Sequence, residues 1–265
     1  MSKQLVTTLS QEKAAAALAR SYNILLSPVR LRSILATLSQ RSDVGTASKF
    51  DLHRIINTLI SEGYLGEAII KAMLVEKFFS ERVVAAFEIR ANRSRADFLT
   101  VNGITRSYEI KSELDNLTKL KKQAGDFSRL FEYNYAVVDK KHISKATEIL
   151  PDNYGIYEVT FNEIVLKKKA KRNNLTDAAS QLKLFTKKEL ETYFDSYRSL
   201  EHLLNSFSPS EINSTFKKML KHRYEVRWNF VLSHKKEILP IDYQFFFKNN
   251  ILPSIIYEQP TKSPH

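Results

Sequence analysis

The sequence predicts an α/β protein whose core is a mixed sheet. β-like segments recur through the middle of the chain, over residues 83–89, 97–101, 105–111, 133–138 and 156–161. An amphipathic helix, predicted over about 116–131, separates the third segment from the fourth, and such a helix is typical of a crossover between parallel neighbours. Because Asn102-Gly103 is a hairpin signal between the second and third segments, the sheet is expected to contain both strand directions.

Helical segments are predicted on both sides of this core. Residues 1–66 form the predicted N-terminal region, which ends in a helix with apolar residues at helical spacing, Leu52, Ile55, Ile56, Leu59 and Ile60. The core is expected over 67–162 and opens with a helix at 67–81. Residues 163–265 are predicted to be helical and to pack on the core. Their clearest helix start is Ser208-Pro-Ser-Glu211, which combines an N-cap, a proline at the first helical position and a capping-box glutamate.

The composition favours an anionic partner and narrows the chemistry. Lys and Arg number 41 against 29 Asp and Glu, a formal net charge of +12, which raises the expectation of a phosphate-bearing partner such as nucleic acid. The absence of cysteine excludes disulfides, thiolate zinc sites and a cysteine nucleophile. The six histidines show no metal-ligand spacing, so a metal would be held by oxygen. Since the sequence shows no leader pattern and no apolar stretch of about 18 residues, we expect a cytoplasmic protein without a membrane partner.

Three charged residues interrupt strands that otherwise have a buried pattern, Asp97, Glu109 and Lys111. Alternate side chains of a strand share a face, so Glu109 and Lys111 project together and the residue between them projects oppositely. The position of Asp97 depends on the loop at Asn102. A two-residue turn pairs Asp97 with Tyr108, whereas a three-residue loop or one bulge places it opposite Glu109. We predict the second arrangement.

Two opposed carboxylates repel each other unless a cation lies between them, and oxygen ligands of this kind suit Mg²⁺ or Mn²⁺. The Lys111 ammonium would lie one strand step from the metal, where it can hold a phosphate oxygen or orient an attacking water. A bound divalent cation acidifies water, and the cation and the lysine together stabilise the charge that grows at phosphorus. The pattern therefore predicts a site for phosphodiester hydrolysis at Asp97, Glu109 and Lys111.

Asp97 followed by Glu109-Ile110-Lys111 resembles the D-x(n)-E-x-K signature of the PD-(D/E)XK nuclease superfamily. The order of helix, three strands, helix and strand around it resembles the restriction-endonuclease-like αβββαβ core, with a mixed sheet flanked here by N-terminal and C-terminal helices. The segments FEIRANRSRADFLTVNG, YEIKSELDNLTKLKKQ and ILPIDYQFFFKNN are similar to a bacterial family of mostly uncharacterised PD-(D/E)XK-like proteins. The resemblance is strongest from Phe87 to about Val138.

The resemblance implies a role for each residue of the motif. Asp97 and Glu109 would be metal ligands, together with the main-chain carbonyl of Ile110. Lys111 would position phosphate and water. Glu88, upstream of the motif, would be a further ligand, through water, or a support of the site.

The helix after the E-x-K strand is predicted to contact a nucleic-acid backbone. Lys119, Lys122 and Gln123 are the expected contacts. Several superfamily nucleases carry Gln-x-x-x-Tyr at this place, but Phe127 replaces the tyrosine here, so that hydroxyl is missing. The basic run Lys167–Arg172 is predicted either as a solvated helix start or as a second set of phosphate contacts.

The expected function is a Mg²⁺-dependent deoxyribonuclease, in DNA processing or in defence against foreign DNA. DNA is the expected partner, and RNA is the alternative substrate. The oligomeric state is left open, with a homodimer as one alternative. The rival function is a non-catalytic nucleic-acid-binding or partner-binding module that retains the nuclease fold. The presence of Asp97, Glu109 and Lys111 together favours the enzyme, because a site without catalysis is free to lose its lysine.

Overall fold

The chain forms a mixed α/β structure that contains a six-stranded sheet. The computed structural model describes residues 2–39 and 44–258, with side chains from Gln11 onward. The chain divides into two compact units, one made of Met1–Ala72 with Phe230–His265 and the other of Met73–Asn229. Within the described ranges, no helix combines the length and the apolar character that crossing a bilayer requires.

Helices and strands alternate in the middle of the chain, and both ends are mainly helical. The helices of the described ranges are α1 (Ser2–Ser21), α2 (Pro28–Ser39), α3 (Lys49–Gly63), α4 (Glu67–Phe78), α5 (Leu120–Ser128), α6 (Ile143–Ile149), α7 (Ala178–Leu182), α8 (Lys187–Tyr193), α9 (Leu200–Ser206), α10 (Pro209–Ser233), α11 (Tyr243–Asn249) and α12 (Pro253–Tyr257). The strands are β1 (Val84–Ala91), β2 (Ser94–Val101), β3 (Thr105–Lys111), β4 (Tyr133–Asp139), β5 (Gly155–Val159) and β6 (Ile164–Lys168).

Both ends of the chain are mainly helical, as predicted, but the region 163–265 also contains strand β6. Helix α3 begins after Ser48, whose hydroxyl accepts a hydrogen bond from the amide of Asp51, and it buries Leu52, Ile56 and Ile60. The predicted C-terminal region 163–265 is divided between the units, because residues up to Asn229 belong with the sheet and those from Phe230 onward belong with the N-terminal helices.

The first unit contains a buried polar cluster made from distant parts of the chain. The hydroxyl groups of Tyr22 and Tyr257 donate to Oδ2 of Asp242 at 3.1 and 2.8 Å, and the Tyr22 hydroxyl also lies 2.8 Å from Nδ1 of His53. Burial raises the pKa of Asp242 to about 7, against the lowering effect of the two tyrosine hydrogen bonds. Burial also lowers the pKa of His53 to about 4.

The strand order in the sheet follows the order in the chain, β1-β2-β3-β4-β5-β6. The pairs β1–β2 and β2–β3 are antiparallel, the pairs β3–β4 and β4–β5 are parallel, and the pair β5–β6 is antiparallel. The crossover prediction is therefore confirmed, since α5 connects the parallel strands β3 and β4. Strands β4 and β5 are also parallel and therefore need a crossover, which contains α6. Helix α6 was not predicted from the sequence.

The two faces of this sheet differ in their packing. Aromatic rings occupy one face, where Phe98 packs against Tyr108 and Tyr108 stacks on Tyr135 with ring centroids 5.4 Å apart. Helices α5 and α6 cover the other face, with a core of Leu120, Ala124, Ala136, Val138, Ala146, Leu150, Tyr154 and Ile156. The side chain of Glu109 points to this helix-covered face, because it contacts Gln123 of α5.

The predicted start of the helix after β3 is wrong. The helix expected from Asn116 begins at Leu120. Asp115 accepts hydrogen bonds from the amide and hydroxyl of Ser112, and Asn116 accepts one from the amide of Thr118. These side-chain hydrogen bonds hold the segment in turns instead of a helix.

The basic run Lys167–Arg172 is not the start of a helix. It begins in the edge strand β6, where Lys167 pairs with Glu158 of β5 at 2.7 Å, and charged side chains are a common feature of such edges. At the end of the run Arg172 pairs with Glu132 at 3.5 Å. The capping box at Ser208 and Glu211 is confirmed as the start of α10.

Candidate functional site

The loop between β2 and β3 has the length that the carboxylate prediction requires. Strand pairing runs from Val101 opposite Thr105 to Phe98 opposite Tyr108, which leaves a three-residue loop of Asn102, Gly103 and Ile104. The Asn102 amide closes this loop by donating to the Ile104 carbonyl at 3.0 Å, and Gly103 adopts a left-handed φ of +65°. The three-residue loop is therefore confirmed. One further step of the same register places Asp97 opposite Glu109.

Glu88 extends the same row onto β1. Pairing on either side of it, Phe87 with Phe98 and Ile89 with Ala96, places Glu88 opposite Asp97. Its φ of +57° lies in the left-handed region that few residues other than glycine adopt, which costs about 1–3 kcal/mol. Three carboxylate residues thus occupy one row across β1, β2 and β3. We call Glu88, Asp97 and Glu109 the carboxylate row.

The first two members of the carboxylate row are close to each other. One carboxylate oxygen of Glu88 and one of Asp97 lie within 4.8 Å. Glu88 also forms an ion pair with the guanidinium of Arg95. Asp97 Oδ2 accepts a hydrogen bond from the main-chain amide of Ile110 at 2.7 Å, so the backbone of the E-x-K segment helps to orient Asp97. The Ile110 side chain is buried.

Glu109 and Lys111 form the buried end of the site. Lys111 Nζ lies 2.5 Å from Glu109 Oε1, and the side-chain amide of Gln123 donates to the same oxygen. The Glu109 side chain is 2% exposed and that of Lys111 is 12% exposed. An ammonium in this position offsets the cost of burying the carboxylate. Its charge also raises the local positive potential beside the row.

The donor set of the carboxylate row has the chemistry of a divalent-cation site, but among the described residues Glu109 is not in the group whose oxygens, with those of Glu88 and Asp97, lie within 4.8 Å of one another. The members of the row offer carboxylate oxygens, the hard ligands that Mg²⁺ and Mn²⁺ prefer. A further oxygen, Oε1 of Gln123, is buried and accepts no hydrogen bond from the described residues. The metal-ligand prediction for Asp97, Glu109, Glu88 and the Ile110 carbonyl stays a prediction, and the chemistry of these donors agrees with it.

The three residues predicted to bind nucleic acid separate into different surroundings. Lys119 is exposed and lies directly before α5, at its N-cap position. Lys122 is exposed and lines a surface groove of about 620 Å³. Gln123 turns the other way and contacts Glu109, so its amide belongs to the site instead of the groove. Phe127, at the position of the missing tyrosine, is fully buried against Phe131.

Sequence reasoning missed two groups around the site. The first is Arg95, which pairs with Glu88; its place one strand away on the same hairpin was a usable signal. The second is the set of cations that share the groove with Lys122, namely Arg93, Lys121 and Arg129. Lys122 and Arg129 are seven residues apart, about two helical turns, and therefore lie on the same side of a helix. This spacing could have suggested the group.

Comparisons with known proteins assign a family but no activity. A family model described as bacteriophage P4 protein cII matches residues 60–246. No curated protein matches the chain. One solved structure, a protein of unknown function from Silicibacter pomeroyi, is 15% identical, with a TM-score of 0.34, over 49% of this chain and 92% of that one.

Proposed function

The chain belongs to the family of bacteriophage P4 protein cII, and for this member we propose a metal-dependent nuclease that hydrolyses phosphodiester bonds of DNA. The observation that carries the proposal is the carboxylate row with Lys111 beside it. Glu88 and Glu109 are almost fully buried and Asp97 is half-buried. Carboxylates removed from water on neighbouring strands are costly, and groups perturbed in this way cluster at functional sites.

We also infer that the segment from α4 to β4 corresponds to the PD-(D/E)XK nuclease core. The support is the order of helix, three antiparallel strands, crossover helix and parallel strand, with the D and E-x-K residues on adjacent strands. Phe127 is the departure from that pattern, because it has no hydroxyl and its side chain is fully buried.

The residues that would hold the cation are Asp97, Glu109, the Ile110 carbonyl and Glu88. When bound, Mg²⁺ or Mn²⁺ would polarise the phosphodiester and make water a stronger acid. Asp97 is held for this task by the amide of Ile110, and Glu109 by Gln123. Pre-orientation of this kind reduces the rearrangement that binding a charged group demands.

Lys111 is the residue that would act on the substrate. Its ammonium lies against Glu109, and it can exchange part of that contact for a non-bridging phosphate oxygen. There it would stabilise the extra negative charge of the transition state.

A second candidate function is a non-catalytic nucleic-acid-binding or partner-binding module. The observation that favours it is that the carboxylates already have protein partners. Lys111 and Gln123 contact Glu109, Arg95 contacts Glu88, and Ile110 donates to Asp97. Such a network can hold the three strands together without any reaction.

The experiment that separates the two functions is a cleavage assay on supercoiled plasmid, single-stranded DNA and RNA, in Mg²⁺, Mn²⁺ or EDTA. We expect cleavage of DNA with either metal and none with EDTA. Asp97→Asn keeps an oxygen that can accept from Ile110 but removes the charge, and we expect it to reduce the rate at least about 100-fold. Glu113→Gln, a change at an exposed acid beyond the end of β3, is the matched control and should cleave normally. Wild-type protein that is inert with both metals, while folded, would favour the binding module.

A further inference from the structure

A strongly basic groove lies at the turn end of the β1–β2 hairpin, beside α5. Its lining is Asn92, Arg93, Lys121, Lys122, Gly125, Asp126 and Arg129, and its volume is about 620 Å³. A second groove of about 310 Å³ shares Asn92 and adds Arg90 and Lys183. The two grooves are therefore adjacent at Asn92, which lines both. We call them together the basic groove.

The cations of the basic groove are exposed, and within the described residues none forms an ion pair with a carboxylate at 4.0 Å or less. This holds for Arg90, Arg93, Lys121, Lys122, Arg129 and Lys183. Two carboxylates lie near them. Asp126 accepts from the Ser94 hydroxyl at 2.5 Å. Asp177 caps α7, and hydrogen bonding from Ser180, helped by the charge of Arg129, lowers the pKa of the Asp177 carboxyl. Six cations thus face two carboxylates that already have other partners.

The floor of the groove is open because Gly125 has no side chain. A Cβ atom at this position would meet no atom within 4 Å, and Gly125 does not have a left-handed φ. Lys121 and Lys122 precede Gly125 by about one helical turn, and Arg129 follows it by one, so the cations border the open floor on both sides. The hairpin turn is fixed to α5 by the bond from Asn92 Nδ2 to the Asp126 carbonyl.

The position of the groove suits a chain of phosphates that leads to the carboxylate row. Asn92 directly follows β1, four residues beyond Glu88, and at about 3.3 Å per extended residue the two are at most roughly 13 Å apart, a span that a few nucleotides cover. Adjacent residues of α5 also point about 100° apart, so Gln123 reaches the row while Lys122 reaches the groove.

We propose that the basic groove binds the sugar–phosphate backbone of nucleic acid and leads it to the carboxylate row. The proposal names the surface that holds the substrate, and in that respect it rests on the proposed function. Its contacts are mainly to phosphates, so binding depends strongly on salt and weakly on base sequence.

The test is a salt titration of binding by fluorescence anisotropy, with a short labelled duplex in EDTA so that no cleavage occurs. Lys121→Ala/Lys122→Ala should reduce the slope of log affinity against log salt by about 2, because each phosphate that the protein no longer neutralises lowers the slope by roughly 0.9. Lys167→Ala/Lys169→Ala removes the same charge from the β6 edge and should leave the slope unchanged. If the β6 pair changes the slope and the α5 pair does not, the proposal is overturned.

Gly125 provides a sharper variant because the fold has room for a side chain there. Gly125→Glu puts a carboxylate on the floor of the groove, and we expect affinity to fall on the order of tenfold or more at low salt. Gly125→Gln is the matched control, because its side chain has nearly the size of glutamate without the charge. Gly125→Ala should bind like wild type and raise Tm, since alanine favours the helix. Equal binding by the Glu and Ala variants would overturn the proposal.

Two further measurements separate this proposal from the nuclease itself. Loss of cleavage by Asp97→Asn with unchanged binding would leave the groove assignment intact, because binding is measured without metal. Anionic lipid vesicles serve as the competing polyanion. Wild-type binding to vesicles that matches binding to DNA at equal charge concentration would contradict a nucleic-acid surface.

Discussion

Lys111→Met should destabilise the second unit substantially, because it leaves Glu109 buried without its ammonium partner. Removing one member of a buried pair costs about 3–5 kcal/mol. Glu109 is 2% exposed, yet it retains the hydrogen bond from Gln123, so we expect the lower end of this range, about 3 kcal/mol. At an m-value of about 2 kcal/mol/M, the urea midpoint would fall by about 1.5 M.

The assay can use Trp228, the one tryptophan in the sequence. It is fully buried in the same unit as the pair, so its fluorescence follows the unfolding of that unit. Glu109→Gln/Lys111→Met removes both charges and should recover all but about 1 kcal/mol, so the double variant should be about 2 kcal/mol more stable than Lys111→Met. Lys145→Met, at an exposed pair with Glu148, is the control and should change stability by less than about 0.5 kcal/mol.

A single variant as stable as wild type, or a double variant as unstable as the single one, would refute this reasoning. The first result would mean that solvent reaches Glu109 more freely than its burial indicates. The second would mean that Lys111 stabilises the unit through the packing of its methylene chain and not through its charge. Either way, a cleavage assay on Lys111 variants needs the unfolding curve beside it, because lost activity and lost structure would otherwise be confused.

Two further predictions concern backbone strain and buried charge. Glu88→Gly and Glu88→Ala both remove the carboxylate, and both should abolish cleavage. Only glycine relieves the strain of the left-handed backbone, so the Gly variant should be about 1 kcal/mol more stable than the Ala variant in urea. Equal stabilities would mean that the φ of +57° is not strained. In the first unit the folded pKa of Asp242 is about 7, above its ordinary 3.8, so its contribution to stability falls as pH rises from about 4 to 7, by about 4 kcal/mol in total. The folded pKa of His53 is about 4, below its ordinary 6.5, so its contribution rises between about pH 4 and 6.5 and largely cancels that fall. The stability of the wild type, followed by circular dichroism, should therefore be nearly constant between about pH 4.5 and 6.5, whereas that of Asp242→Asn should rise by about 2 kcal/mol over the same range. A constant stability for this variant would contradict the assignment.

The part of the site that local rules govern could be predicted from the sequence. Period-2 alternation placed Glu109 and Lys111 on one face, and loop length determined whether Asp97 joined them. The observed loop at Asn102 has three residues, the length that places Asp97 opposite Glu109. The reach of α5 was less predictable, since Gln123 and Lys122 are neighbours in sequence yet face different surroundings.

Features that depend on distant partners left no local signal. Tyr22 and Asp242 are 220 positions apart, and nothing in either segment indicates the other. The start of α5 was misplaced because the turns at Ser112 and Asn116 compete with helix formation through side-chain hydrogen bonds, which periodicity does not detect. Strand β6 is short, basic and at the edge, so it lacks the apolar alternation by which strands are recognised.

The division of the chain into a continuous and a discontinuous unit imposes an order on folding during synthesis. Residues 73–229 are contiguous, so the unit with the sheet is fully translated while the other unit still lacks its second segment. Until then Tyr22 and His53 remain without Asp242 and Tyr257, the partners that the later segment supplies. The polar cluster of the first unit can therefore close only after the whole sheet-containing unit has been translated.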